Sequence, residues 1–253
     1  MSGMAADRIK TGIMGLDNLL EGGFLKGSAT DLAGGEGTFK STFGVQFACE
    51  GVRSGEKVAY ITFEETKESL AAIAETIGCS KEFIGINFKV VNLGDFFEDF
   101  RAEAATGQDY TEHLMGMVLD IAGKVDRLII DTVTTLAVYS KKTTLTSTGR
   151  GLNFLVASAG DIRAMLFGII SKLKERGTTS LLLAEAGEGD LYLPEEVLKY
   201  VCDNKIELKR STLGTGSPRT ILIHKARHTN HPLDEMTMNL TERGIEVTPV
   251  TVG

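Results

Sequence analysis

Short apolar runs alternate along this chain with longer stretches whose apolar side chains recur at helical spacing. "SATDLAG" (28–34), "KVAYITF" (57–63), "FKVVNL" (88–93), "RLIIDTV" (127–133) and "TTSLLLAEA" (178–186) read as strands. "RLIIDTV" is apolar on both faces, as a central parallel strand is. Between them lie helical patterns. "STFGVQFACEGV" (41–52) closes at Gly55. In "KESLAAIAETIG", Leu70, Ile73, Ala74 and Ile77 share one face and Gly78 is placed as a C-cap. In "YTEHLMGMVLDIAGKV" the stripe is Leu114, Met117, Val118 and Ile121. "DIRAMLFGIISKLKERG" is the clearest helix, with Asp161 as its expected cap and Gly177 as its end. Strand–helix alternation predicts an α/β fold with a doubly wound, mainly parallel central sheet flanked by helices. The tail departs from it. "NKIELKRS" and "RTILIHKA" flank the glycine-rich "TLGTGSP", which predicts a C-terminal antiparallel hairpin at one sheet edge. The segment 139–160 reads as a long loop, polar at first and free of acidic residues until Asp161.

Composition narrows the class. A chain of 253 residues with 42% hydrophobic content suits one globular domain over 1–253. A net charge of −7 should repel a phosphate backbone, so nucleic-acid binding would need a local basic patch. Cys49, Cys79 and Cys202 form no C-x-x-C and are expected to be reduced, buried thiols in a cytoplasmic protein. The first residues, MSGMAADRIK, lack the apolar core of a signal peptide, and no apolar run approaches the ~20 residues of a membrane span.

Four stretches carry candidate chemistry. "GGEGTFKS" after the first strand nearly matches the phosphate-loop pattern G-x-x-x-x-G-K-[ST] anchored at Gly34, with Phe39 where the pattern has glycine. Gly34, Gly35 and Gly37 free the turn, Lys40 would reach the β- and γ-phosphates, and Ser41 would ligate Mg²⁺. The candidate nucleotide cradle is Gly35, Glu36, Gly37, Thr38, Phe39, Lys40, Ser41 and Thr42. Phe39 is expected to keep a negative φ, its ring turned from the phosphate. Asp131 ends a buried strand, where it would hold Mg²⁺ through water; a turn or helix cap is its alternative reading. Glu64 and Glu65 end the second strand, placed either to polarise an attacking water or to compensate the next helix's dipole. In "HKARHTNH" (224–231) an extended backbone would put Lys225, Arg227, Thr229 and His231 on one face, an anion-reading row. The same spacing sets its histidines too far apart for one zinc ion.

In this order the pieces resemble the KaiC family of RecA-superfamily P-loop ATPases. The resemblance spans nearly the whole chain, from "IKTGIMGLDNLLEGGFLKGS" through "VAYITFEET", "LIIDTVTTL" and "KARHTNH" to "LTERGIEV". It implies a RecA-like fold and a homohexameric ring with Mg·ATP between neighbouring subunits. It implies that Lys40, Ser41, Asp131 and Glu64 act on a chain's own nucleotide, with Glu65 assisting. Lys225 and Arg227 would reach a neighbour's γ-phosphate, while Thr229 and His231 would touch sugar or phosphates. Phe39 and His228 stand where the family commonly has glycine, and "LPEEVLKYVCDN" lacks the Ser and Thr of the clock protein's phosphorylating module. The implied activity is therefore ATP hydrolysis without autophosphorylation, in a nucleotide-driven ring that signals to a regulatory protein partner. The alternative is an ATP-dependent, single-stranded-DNA-binding recombinase paralogue, resting on Lys141, Lys142 and Arg150 and disfavoured by the acidic "AEAGEGDLYLPEE". An inert nucleotide-binding scaffold is a third reading, resting on Phe39 alone.

Overall fold

The computed structural model describes residues 7–80, 84–85, 87–94, 111–139, 146–147, 152–153, 159–186, 193–211 and 217–250. Two short strands, β1 (Arg8–Ile9) and β2 (Phe24–Leu25), pair antiparallel around helix α1 (Leu16–Leu19). The main body then alternates: β3 (Ala29–Gly34), α2 (Lys40–Arg53), β4 (Val58–Thr62), α3 (Lys67–Thr76), β5 (Phe88–Asn92), α4 (Thr111–Ala122), β6 (Arg127–Asp131) and α5 (Val133–Tyr139). After a short hairpin, β7 (Thr146–Ser147) with β8 (Leu152–Asn153), come α6 (Ala159–Glu175), β9 (Thr179–Glu185) and α7 (Leu193–Val201). The chain closes with β10 (Asn204–Arg210), β11 (Arg219–Ala226), β12 (Met236–Thr241) and β13 (Gly244–Pro249).

One nine-stranded sheet organises these elements in the order β13-β12-β11-β10-β3-β9-β6-β4-β5. From β10 to β5 every neighbouring pair is parallel, and β10 through β13 are antiparallel. The fold is thus the α/β architecture expected, a mainly parallel sheet between helices with an antiparallel extension. The extension is larger than the expected hairpin, because β12 and β13 continue it.

Burial on both faces explains why the central strands are so apolar. Ile129, Leu181 and Leu183 join Phe43, Phe47 and Leu70 in one core beneath α2 and α3. Leu128, Ile130 and Leu182 join Val118, Ile169 and Leu173 in the other core, beneath α4 and α6. Successive side chains along a strand point to opposite faces, so each strand feeds both layers. Arg127 is one of the charged residues that lie inside, opening β6 with 1% of its surface exposed. It pairs with Glu56, donates to the carbonyls of Lys10 (2.8 Å) and Phe47 (3.1 Å), and stacks 4.6 Å from the Phe47 ring centroid. Nε and Nη1 of the buried guanidinium thereby find acceptors.

Three sequence expectations need correction. Cys49 and Cys79 are disulfide-bonded, and only Cys202 among the three is a free, buried thiol. Packing of α2 against α3 brings the pair together across a sequence separation of 30. Asp161 lies within the first turn of α6, since the helix already runs from Ala159. The row 224–231 is extended only to Ala226; beyond it the chain turns, with His228 at φ 57°, so period two does not align Thr229 and His231 with Lys225. Most of 139–160, including Lys141, Lys142 and Arg150, lies outside the described residues, as do 187–192 of the acidic loop. Among the described residues no helix is long and apolar enough to cross a membrane.

Candidate functional site

Parallel strands deliver their C-terminal ends to one edge of the sheet, the place where open α/β sheets bind ligands. β3 delivers the glycine-rich loop, β4 delivers Glu64 and Glu65, β6 delivers Asp131, and β9 delivers Glu185. They line a cleft of about 180 Å³ with Glu36, Gly37, Lys40, Ser41, Thr62 and Thr132.

The loop is held by its own atoms. The Thr38 hydroxyl donates to the Gly35 carbonyl at 2.8 Å, and the Lys40 ammonium donates to the carbonyls of Gly34 and Gly35, both at 2.8 Å. A Cβ at Gly34 would come within 2.6 Å of Thr38 Oγ1 and 2.9 Å of the Leu208 carbonyl, so the turn accepts only glycine there. Burial lowers the Lys40 pKa, opposed by the carboxylates of Glu185, Asp131 and Glu36. Thr42 sits half-buried in the first turn of α2.

Phe39 departs from expectation. It is the N-cap of α2 at φ 71°, ψ 26°, the left-handed conformation that glycine adopts freely. A bulky side chain there costs roughly 1–2 kcal/mol. The ring is turned away from the cleft and packs against the core, with the Arg219 guanidinium 3.9 Å from its centroid.

Asp131 is 7% exposed and buried among polar partners. Tyr60 Oη donates to Asp131 Oδ2 at 2.6 Å, and the Ser41 hydroxyl stands near enough to favour the carboxylate. Burial pushes the Asp131 pKa up, while the bond from Tyr60 and the nearby Ser41 hydroxyl pull it back. Burial, then the adjacent Asp131 charge, drives the Tyr60 pKa well above the ordinary phenol value. The cap of the following helix is Thr132, whose hydroxyl accepts from Thr135 N at 3.2 Å, leaving Asp131 facing the cleft. A hydroxyl and a carboxylate lining one cleft beside a helix N-terminus are hard oxygen donors suited to Mg²⁺. Among the described residues no three His, Cys, Asp or Glu side chains cluster to hold a metal ion.

The two glutamates differ. Both backbone amides donate to Thr62 Oγ1, at 3.2 Å for Glu64 and 2.9 Å for Glu65. The Glu65 carboxylate accepts from the Ser69 hydroxyl. Among the described residues the Glu64 carboxylate has no hydrogen-bond partner, and it is the more exposed of the two. Thr66 caps α3 through Ser69 N, and Glu68 is the acidic residue in that helix's first turn.

Lys225 and Arg227 do not join this cleft within one chain. Lys225 pairs in register with Lys205, which pairs with Asp31 near the start of β3. That places it roughly 10 Å back along the strand from Gly34 and roughly 10 Å across. Lys225 Nζ donates to the Lys199 carbonyl at 2.9 Å, and burial lowers its pKa, as does the charge of Arg227. Arg227 pairs with Asp203 at 3.3 Å, and Asp203 also binds Lys174 at 2.6 Å. Thr229 Oγ1 accepts from Arg8 at 3.0 Å, and His231 Nδ1 lies 3.0 Å from the Pro232 carbonyl oxygen.

Tyr60, Glu185, Arg210 and Arg219 escape the sequence reading. Tyr60 and Glu185 sit on strands legible in the sequence, and a polar residue at or near a strand's C-terminal end was the available signal. For Arg210 and Arg219 no local signal exists, because pairing of β10 with β11 brings them to the loop.

A family model described as "ATPase: KaiC" matches residues 9–252. The chain is 26% identical over 245 residues to the circadian clock protein KaiC2 of Synechocystis, covering 95% of this chain and 40% of that protein. It therefore spans less than half the length of this relative. It is 25% identical over 252 residues to a UPF0273 protein of Pyrococcus furiosus, covering 96% of this chain and 94% of that one. The crystal structure of a KaiC-like protein from Pyrococcus horikoshii matches with a TM-score of 0.72 at 27% identity, over 97% of this chain and all of that chain. Fold, cleft and family match agree: the chain belongs to the KaiC family of RecA-superfamily P-loop ATPases.

Proposed function

We propose that the chain is a single ATPase domain that hydrolyses ATP to ADP and phosphate at interfaces between copies of itself, in a ring. The observation that carries this reading is the split of the anion-binding groups. Lys40, Ser41 and Asp131 converge at one edge of the sheet, while Lys225 and Arg227 stand towards the other. Cations so far from their own loop can serve a triphosphate only on another molecule.

In this reading the loop amides and Lys40 hold the β- and γ-phosphates, and the loop residues Gly35 to Thr42 set their register. Ser41 and Asp131, the latter through water, would hold Mg²⁺. The metal, when bound, would supply charge neutralisation to the phosphate oxygens. Glu64, whose carboxylate has no hydrogen-bond partner among the described residues, polarises a water for attack on the γ-phosphorus and takes its proton as the bond to the β-phosphate oxygen breaks. Glu65, held by Ser69, assists. Lys225 and Arg227 of a neighbour stabilise the charge that develops, with Thr229 and His231 beside them. Since an arginine supplied in trans is worth roughly 10³–10⁵ in rate, assembly itself gates turnover. We assign the ring a regulatory role in which nucleotide state alters packing and partner choice.

Arg227→Ala tests the reading. Phosphate release should slow by at least about 10³-fold while Mg·ATP affinity stays within a few-fold of wild type. Equal loss of both would refute it. Radioactive γ-phosphate left stably on the chain would refute the exclusion of autokinase activity.

A further inference from the structure

Gly37 and Phe39 are held from outside the loop by the β10–β11 hairpin. Arg219 Nε donates to the Gly37 carbonyl at 2.8 Å, and its guanidinium lies 3.9 Å from the Phe39 ring centroid. Arg210, the cross-strand partner of Arg219, lies against Gly37 so closely that a Cβ there would sit 3.0 Å from its Nη1. One guanidinium therefore grips the two residues that must both hold positive φ, 69° at Gly37 and 71° at Phe39. Glycine needs no help in that conformation, whereas phenylalanine returns to negative φ unless its surroundings hold it.

We propose that Arg219 is a positioning residue for the nucleotide. It clamps the Phe39 ring and the Gly37 carbonyl, so that the amides before Lys40 stay aimed into the cleft despite the missing glycine. Arg219 acts through Phe39, which turns a residue that looks disabling into half of a latch. The role in nucleotide binding rests on the loop being the phosphate site; the latch itself does not.

The test is a cycle of four proteins: wild type, Arg219→Ala, Phe39→Gly and the double variant. Hydrogen exchange of the 35–43 backbone is followed in the free protein, and Mg·ATP affinity is measured by titration. Arg219→Ala should speed loop exchange and weaken Mg·ATP binding roughly three- to fivefold, the size of one exposed cation–π contact. In the Phe39→Gly background the same change should do much less, because glycine keeps the loop geometry unaided. An equal effect in both backgrounds would mean that Arg219 acts on the ligand or the carbonyl alone, and the latch would be wrong. Unchanged exchange on removing Arg219 would also overturn it. If wild type fails to bind Mg·ATP while exchange still shows the coupling, the latch stands and the nucleotide reading falls.

Discussion

Removing one buried hydroxyl, in Tyr60→Phe, should change both the pH profile and the stability of this protein. Tyr60 is fully buried, and its hydroxyl donates to Asp131 Oδ2 at 2.6 Å. A hydrogen bond to a charged acceptor is worth about 1.5–3 kcal/mol. Burial already raises the Asp131 pKa, and the Tyr60 bond offsets part of that rise by favouring the carboxylate. Without the hydroxyl, burial acts less opposed and the Asp131 pKa should climb further. For a carboxyl whose folded pKa lies above its unfolded value, the native state holds the extra proton. Its contribution to stability is therefore most favourable at acid pH and declines as pH rises through the window between the two values. Tyr60→Phe widens that window. Its destabilisation should be small where Asp131 is protonated and reach about 1.5–3 kcal/mol at alkaline pH. Urea unfolding across pH measures this, and the acid limb of kcat/KM should move upward with it. A stability loss independent of pH, with an unmoved acid limb, would show that Tyr60 does not hold a carboxylate.

Three further outcomes follow from particular contacts. Glu64→Gln should cut phosphate release by about 10²-fold or more while Mg·ATP titration shows binding retained, and Glu65→Gln should cost less. Arg127→Ala should destabilise the fold by about 3 kcal/mol in urea unfolding, since it leaves Glu56 without its partner and the carbonyls of Lys10 and Phe47 without a donor. Reducing the Cys49–Cys79 bond should cost about 3–4 kcal/mol, the loop-closure entropy for a separation of 30, read as a shift in midpoint with and without reductant.

Much of the fold was legible because the central strands are buried on both faces. Runs such as Leu128–Ile130 and Leu181–Leu183 have no polar side to confuse with a helix. Loop, Asp131 and glutamates were legible as a group because parallel topology sends every strand's C-terminal end to one edge. What stayed hidden depends on contacts remote in sequence. Tyr60 reads as one more apolar strand residue until β4 pairs with β6 and sets it beside Asp131. The disulfide needs α2 and α3 packed, and the Arg219 contact needs the register of β10 with β11. β12 and β13 alternate only briefly, and Met236 and Met238 gain their burial from the strands beside them. Phe39 misled for a different reason. Side-chain sterics argue for negative φ, but the entry into α2 requires the left-handed turn, and tertiary contacts hold it there.

Mixing two inactive variants tests the shared site most directly. Lys40→Ala removes the proposed phosphate lysine but keeps Arg227; Arg227→Ala keeps the loop but removes the cation proposed to act in trans. Each alone should release almost no phosphate. Co-assembled at equal amounts, they should recover roughly a quarter of wild-type turnover, since one interface in four then pairs an intact loop with an intact Arg227 in a head-to-tail ring. No recovery in a verified mixed assembly, or full activity from an isolated single chain, would contradict the account.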